Sequence, residues 1–140
     1  MSLVITVTDD VVACQSVRYA VFVEEQGVSL EDEQDGQDPF AHHILASYGG
    51  QPVGAARILV QGDTGKIGRV CVLTSHRQKG IGGGLIRACL AHLRATPGIA
   101  RAELGAQTHA SAFYESLGFQ AIGLAYEEIN TPHQKMEHLL

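Results

Sequence analysis

The sequence predicts an α/β (α+β) domain, a mixed and mostly antiparallel central sheet flanked by helices in the order β-α-β-β-β-α-β-α-β-β. Two observations carry that prediction. Positions 43–72 hold β-branched runs separated by Gly49-Gly50 and by Gly62-Asp63, the pattern of antiparallel hairpins. Beyond them an apolar run, a glycine-rich loop and an amphipathic stretch follow one another as strand, loop and helix. The 140 residues fit one domain, 1–140, long enough to bury a core.

Leu3 to Thr8 is β-branched and ends at Asp9-Asp10, either of which can cap a helix. Val11, Cys14, Val17, Arg18, Val21 and Phe22 then recur at helical spacing through about Val23. Gly27 to Phe40 has few apolar anchors and reads as loop or a short helix. His43 to Tyr48 turns at Gly49-Gly50 and returns as Pro52 to Val60, and a turn at Gly62 to Gly65 leads into Lys66 to Val72. After the glycine loop a helical pattern through Ile86, Cys89, Leu90 and Leu93 runs to a stop at Pro97-Gly98. Arg101 to Ala106 is a short strand, and Ser111 to Leu117 is a short helix closed by Gly118. Phe119 to Tyr126 and Pro132 to Leu139 form a closing pair.

Composition narrows the function. At 45% hydrophobic residues the chain is neither disordered nor fibrous. It starts without a basic segment followed by an apolar one and has no long apolar run, so a cytoplasmic protein without a membrane partner is expected. Cys14, Cys71 and Cys89 are odd in number and widely spaced, as reduced small hydrophobes would be, and the histidines show no metal-ligand spacing. A net charge of -5 argues against nucleic acid as a partner. Seven acids crowd into the fifteen residues from Glu24 to Asp38 with no Lys or Arg among them, leaving eight acids against ten bases elsewhere. One end of the molecule thereby suits a polyanion and another a cation. Glu31, Glu33 and Asp35-Gly36 imitate the opening of a calcium loop, but His42 stands where the bidentate glutamate belongs.

The chemistry concentrates in Val70-Cys71-Val72, Arg77-Gln78-Lys79 and four glycines within positions 80–84. Glycines at the mouth of a helix leave peptide N–H groups unshielded, and the first turn of a helix offers unpaired donors at the positive end of its dipole. Such a site takes an anion, most often a phosphate. A Walker loop is excluded, because Gly65-Lys66 is followed by Ile67 and Lys79 precedes its glycine. A dinucleotide fingerprint fails too, since Gly80 and Gly82 are followed by Leu85.

Arg77-Gln78-Lys79-Gly80-Ile81-Gly82 resembles the R/Q-x-x-G-x-G/A loop of the GCN5-related N-acetyltransferases. Phe113-Tyr114-Glu115-Ser116-Leu117-Gly118-Phe119 resembles the family's second motif, at the spacing the family has. With the element order, the likeness covers nearly the whole chain. Arg18, Phe22 to Gln26, the acidic run before His42, Gly68-Arg69-Val70, Ala106-Gln107 and Pro132-His133-x-x-Met136 are similar to the ElaA/YjcF-type branch. Two departures stand out: Gln107 replaces a common asparagine, and Glu128 to Pro132 carries an extra polar pair.

The resemblance implies the GNAT fold and direct transfer of an acetyl group from acetyl-CoA to an amine, carried by a small molecule or a peptide and suited to positive charge. It implies that backbone groups of Val70, Cys71 and Val72 pair with the pantetheine arm, with the Val72 N–H as oxyanion donor. Gln78, Lys79, Gly80, Ile81, Gly82 and Gly83 would meet the diphosphate, Arg77 and Lys79 would add charge, and Gln107 would bond cofactor amides. Tyr114 would reprotonate the thiolate. A thiol near 8.5 and a phenol near 10 make that step uphill by about 2 kcal/mol. An alkylammonium near 10.4 must lose a proton at a cost of about 4.6 kcal/mol at pH 7, for which Glu25, Asp35 and His42 are candidate bases. The competing reading is a non-catalytic acyl-CoA-binding or sensing module. A terminal strand could pair within the chain or across a homodimer.

Overall fold

The computed structural model describes residues 2–128 and 130–140. Eight strands form one sheet in the order β1-β2-β3-β4-β5-β8-β6, with β7 on the outer part of β8. The strands are β1 (Leu3–Thr8), β2 (His42–Tyr48), β3 (Gln51–Gln61), β4 (Thr64–Val72), β5 (Arg101–Gln107), β6 (Gln120–Ala121), β7 (Tyr126–Glu128) and β8 (Thr131–Leu139). The helices are α1 (Val11–Arg18), α2 (Leu30–Glu33), α3 (Ile81–Arg94) and α4 (Ser111–Ser116). Every strand pair is antiparallel except β4 with β5.

Asp10 is the residue that caps α1, its carboxylate accepting from the Ala13 N–H at 3.1 Å. The helical spacing seen through Val23 continues past α1 as a wider π-turn over Tyr19–Glu25. The β2–β3 hairpin turns on Gly49 and Gly50, both at positive φ, as a two-residue turn between right-twisted strands requires. On one face α3 buries Ile81, Leu85, Ile86, Cys89, Leu90 and Leu93 against Ile44, Ile58, Ile67, Leu104, Phe119 and Met136. On the other face α1 sets Cys14, Val17 and Val21 against Ala55 and Cys71. All three cysteines are free and buried. Among the described residues no helix is long and apolar enough to cross a membrane.

One expectation needs correction. The single strand read over Phe119 to Tyr126 is two short strands, broken around Gly123 at φ 72°. There the Gln134 side-chain amide donates to the Ile122 and Gly123 carbonyls at 2.8 and 3.2 Å, in place of a continuous ladder. The closing pair forms as read: β6 and β7 both pair with β8 at the end of the sheet, and β8, with β5 on its other side, pairs within the chain. Part of the unusual polar tail, Ile129, lies outside the described residues.

Candidate active site

Two departures from regular pairing open the sheet. β4 and β5 pair only from Thr64 to Lys66 and Arg101 to Glu103. Beyond those residues the strands diverge and leave a wedge. In β4, Arg69 and Val70 together oppose Ala56, a bulge that puts Arg69 at φ 54°. A non-glycine residue in that region is unusual, and here its guanidinium is held by the carbonyls of Asp32 and Glu33 at 3.4 and 3.2 Å and by Asp35 at 3.4 Å. The resulting cleft, about 930 Å³, is lined by α1-side residues such as Phe22 and Gln26, by β4 from Ile67 to Val70, and by Gln107, Tyr114, Glu128 and His133.

At the mouth of the wedge the Leu73 N–H donates to the Val53 carbonyl at 2.8 Å. Alternation along the strand then turns the peptide groups of Val72 away from β3 and into the gap. The glycine loop follows. Gly80, at φ 77°, turns the chain into α3 with empty space where a side chain would stand. The first helix amide to find a backbone acceptor is that of Gly84, which donates to the Gly80 carbonyl at 3.0 Å. Among the described residues the N–H groups of Gln78 through Gly83 have no protein acceptor, and a Cβ built on Gly82 would meet nothing within 4 Å. A row of bare donors beside open space at a helix N-terminus fits a diphosphate.

The two cations of the loop part company. Arg77 donates from both terminal nitrogens to Glu25 at 2.6 and 2.5 Å, and from Nε to the Val72 carbonyl at 2.9 Å. It therefore braces the loop against the end of the π-turn, and that carbonyl is occupied. Lys79 is exposed and lies over the Tyr48 ring, 5.9 Å from its centroid.

Four of the acids between Glu24 and Asp38 are matched by arginines from other elements. Arg18, fully buried on α1, donates to Glu33 at 2.5 Å and to both oxygens of Asp38 at 2.9 and 2.8 Å. Arg57 on β3 reaches Asp35 at 2.9 and 2.7 Å and Asp38 at 3.1 Å. Arg77 holds Glu25. The expected acidic field is thus reduced to Glu24, Glu31 and Asp32, which are exposed. Sequence alone could not find these pairs, because the arginines lie in other elements.

The candidate bases stand as follows. The Arg77 hydrogen bond holds the Glu25 carboxyl below its ordinary range. The Arg57 hydrogen bond, against the effect of burial, holds the Asp35 carboxyl at about 2. His42 meets His92 of α3, Nδ1 to Nε2, at 3.0 Å, well down that helix from its glycine end. None of the three lines the cleft. Tyr114 does line it, packed edge-on to Phe113 and Phe119, and burial raises its phenol above the ordinary value. Gln107 lines it from the end of β5. Opposite Gln107 in the sheet register stands His133. Its Nδ1 is 2.8 Å from the Thr131 carbonyl, its Nε2 is 3.7 Å from Glu128, and its ring stacks on Tyr126. Only the register, invisible in the sequence, brings His133 to this place.

The family model for the acetyltransferase (GNAT) domain matches residues 9–140. The uncharacterized N-acetyltransferase YjcF of Bacillus subtilis is 38% identical over 121 residues, 86% of each chain. ElaA of Escherichia coli is 36% identical over 130 residues, covering 86% of this chain and 82% of the relative. Its crystal structure superposes with a TM-score of 0.84 at 31% identity, over 98% of both chains. An acyl-CoA N-acyltransferase from Pseudomonas aeruginosa gives 0.89 at 30% identity, over 98% of this chain and 99% of that one.

Proposed function

Since the chain belongs to the GNAT acetyltransferase family, in its ElaA/YjcF-like branch, and is an N-acetyltransferase, we propose that it moves an acetyl group directly from acetyl-CoA to a primary amine. The observation that carries this reading is the set of unpartnered amides from Gln78 to Gly83 at the end of an unzipped strand pair. Those amides, with Lys79, bind the diphosphate. The pantetheine arm enters the wedge as an added strand would, taking the backbone groups of Val70 to Val72 that point into the gap, apart from the Val72 carbonyl already bonded to Arg77. The Val72 N–H then faces the thioester carbonyl as an oxyanion donor, an interaction worth about 10²- to 10³-fold in other enzymes.

Gln107 bonds amides of the arm where the wedge closes. Tyr114 supplies a proton to the departing sulfur. Its raised phenol keeps that proton through neutral and alkaline pH and makes the transfer more uphill than between unperturbed groups. The acceptor approaches from the α1 side, past Phe22, Gln26 and Asp32.

The test is a calorimetric titration with acetyl-CoA followed by a screen of primary amines and peptides for thiol release. Saturable binding and acetylation of at least one acceptor are expected. A protein that binds acetyl-CoA, acetylates nothing and is indifferent to Tyr114→Phe would instead be a binding module.

A further inference from the structure

Resting on the transferase reading, we infer that His133 is the general base, accepting the acceptor's proton at Nε2 with Glu128 beside it to attract the charged ring. Four observations converge on this residue. A carbonyl can only accept, so the 2.8 Å contact with the Thr131 oxygen fixes the Nδ1 nitrogen as the protonated one and leaves the lone pair on Nε2. That nitrogen is 3.7 Å from Glu128, beyond a hydrogen bond and close enough for attraction. The side chain is only 12% exposed, yet it lines the cleft between Gln107 on one neighbouring strand and Tyr126 on the other. Stacking on Tyr126 at 5.8 Å, with 28° between the planes, fixes the ring further.

The site also supplies what a base needs around it. Tyr126 reaches across β8 to β5, where a Cβ on Gly105 would meet its hydroxyl, so glycine at 105 leaves room for the ring in this place. The charged and titratable groups that share the cleft with His133 are Glu128 on β7, Tyr114 on α4, Arg69 on β4, and Asp32 and Glu33 on α2, with Tyr126 stacked on the ring from β7. Glu33 is already held by Arg18, and Arg69 by the α2 carbonyls, which leaves Glu128 as the acid next to the ring.

One ammonium proton passes to Nε2, and the amine nitrogen adds to the thioester carbon. The C–N bond forms, the C–S bond breaks with its electron pair on sulfur, and sulfur takes the Tyr114 proton. The amide nitrogen then sheds its second proton to water, the phenol is restored from solvent, and His133 releases its own, so one proton leaves overall.

The discriminating variant is His133→Asn, whose amide nitrogen replaces Nδ1 and keeps the bond to Thr131 while removing the basic nitrogen. Acetyl-CoA affinity is measured by calorimetry, and kcat and KM with a panel of primary alkylamines and short peptides at pH 7 and pH 10. The expected result is unchanged acetyl-CoA affinity and a loss of 10²-fold or more in kcat/KM at pH 7. The loss shrinks to about tenfold or less at pH 10, where about a quarter of an alkylamine is already neutral against about one part in 2,500 at pH 7. Equal turnover by both proteins at pH 7 overturns the assignment alone, as does the same loss at both pH values. Wild-type protein that does not bind acetyl-CoA overturns the transferase reading and this one with it. Independently of any acceptor, 15N spectra of histidine-labelled protein must show Nδ1 protonated in the neutral His133 ring; the opposite tautomer contradicts the proposal.

Discussion

Replacing Arg18 with methionine tests the arrangement that holds the acceptor side of the cleft. The guanidinium is 1% exposed and joins three elements, donating from α1 to Glu33 of α2 and to Asp38 in the turn before β2. After its removal Asp38 retains Arg57 and Gln15, whereas Glu33, more deeply buried, keeps among the described residues only Arg69 at 3.8 Å. The stranded charge is therefore that of Glu33. Removing one partner of a buried ion pair costs about 3–5 kcal/mol. With an unfolding entropy of about 2.1 cal/mol/K per residue over 140 residues, that corresponds to a fall in Tm of about 10–17 °C. Thermal unfolding followed by circular dichroism measures it. The double variant Arg18→Met with Glu33→Gln should recover at least a third of the loss, because the remaining buried group is then neutral. A fall under about 3 °C in the single variant, or no recovery in the double, refutes the reasoning.

Acid should destabilise the fold for a related reason. Asp35 is held at about 2 by Arg57, and in Asp38 the bonds from Arg18 and Gln15 outweigh a burial effect of opposite sign. Carboxyls depressed in the fold contribute stability above their unfolded value near 3.9 and lose it as pH falls toward 2, so urea midpoints should drop across that window and Asp35→Asn should flatten the drop. Tyr114→Phe should lower kcat by about tenfold or more without changing acetyl-CoA affinity. Because burial raises the phenol, the wild-type alkaline limb should lie above pH 10; a limb near 8 contradicts the role. Glu25→Gln and His42→Ala should each keep kcat/KM within about threefold, since neither side chain lines the cleft; a loss of 10²-fold in either would make that residue the base.

Most of the fold was legible because its signals are local. Gly49-Gly50 and Gly62-Asp63 specify turns through their own backbone preferences, and α3 announces itself by a one-sided apolar period ending at Pro97-Gly98. The glycine-rich turn into α3 was legible for the same reason: glycine spacing and helix onset are contiguous. What the sequence hid was pairing at a distance. The run from Glu24 to Asp38 looks unneutralised because Arg18, Arg57, Arg69 and Arg77 reach it from α1, β3, β4 and the glycine loop. The same blindness left His133 unnoticed beside Glu25, Asp35 and His42. The insertion of β8 beside β5, which sets His133 opposite Gln107, depends on a register that no short pattern encodes. The break at Gly123 was missed because Gln134, eleven residues on, satisfies the interrupted backbone.

The amide resonances of residues 78–83, followed in 1H–15N spectra during titration with acetyl-CoA, test the account where it is most exposed. These six amides should move furthest and saturate together with the binding isotherm, and S-acetyl-pantetheine, which carries no diphosphate, should leave them in place. Saturation with acetyl-CoA while they stay unmoved would contradict it.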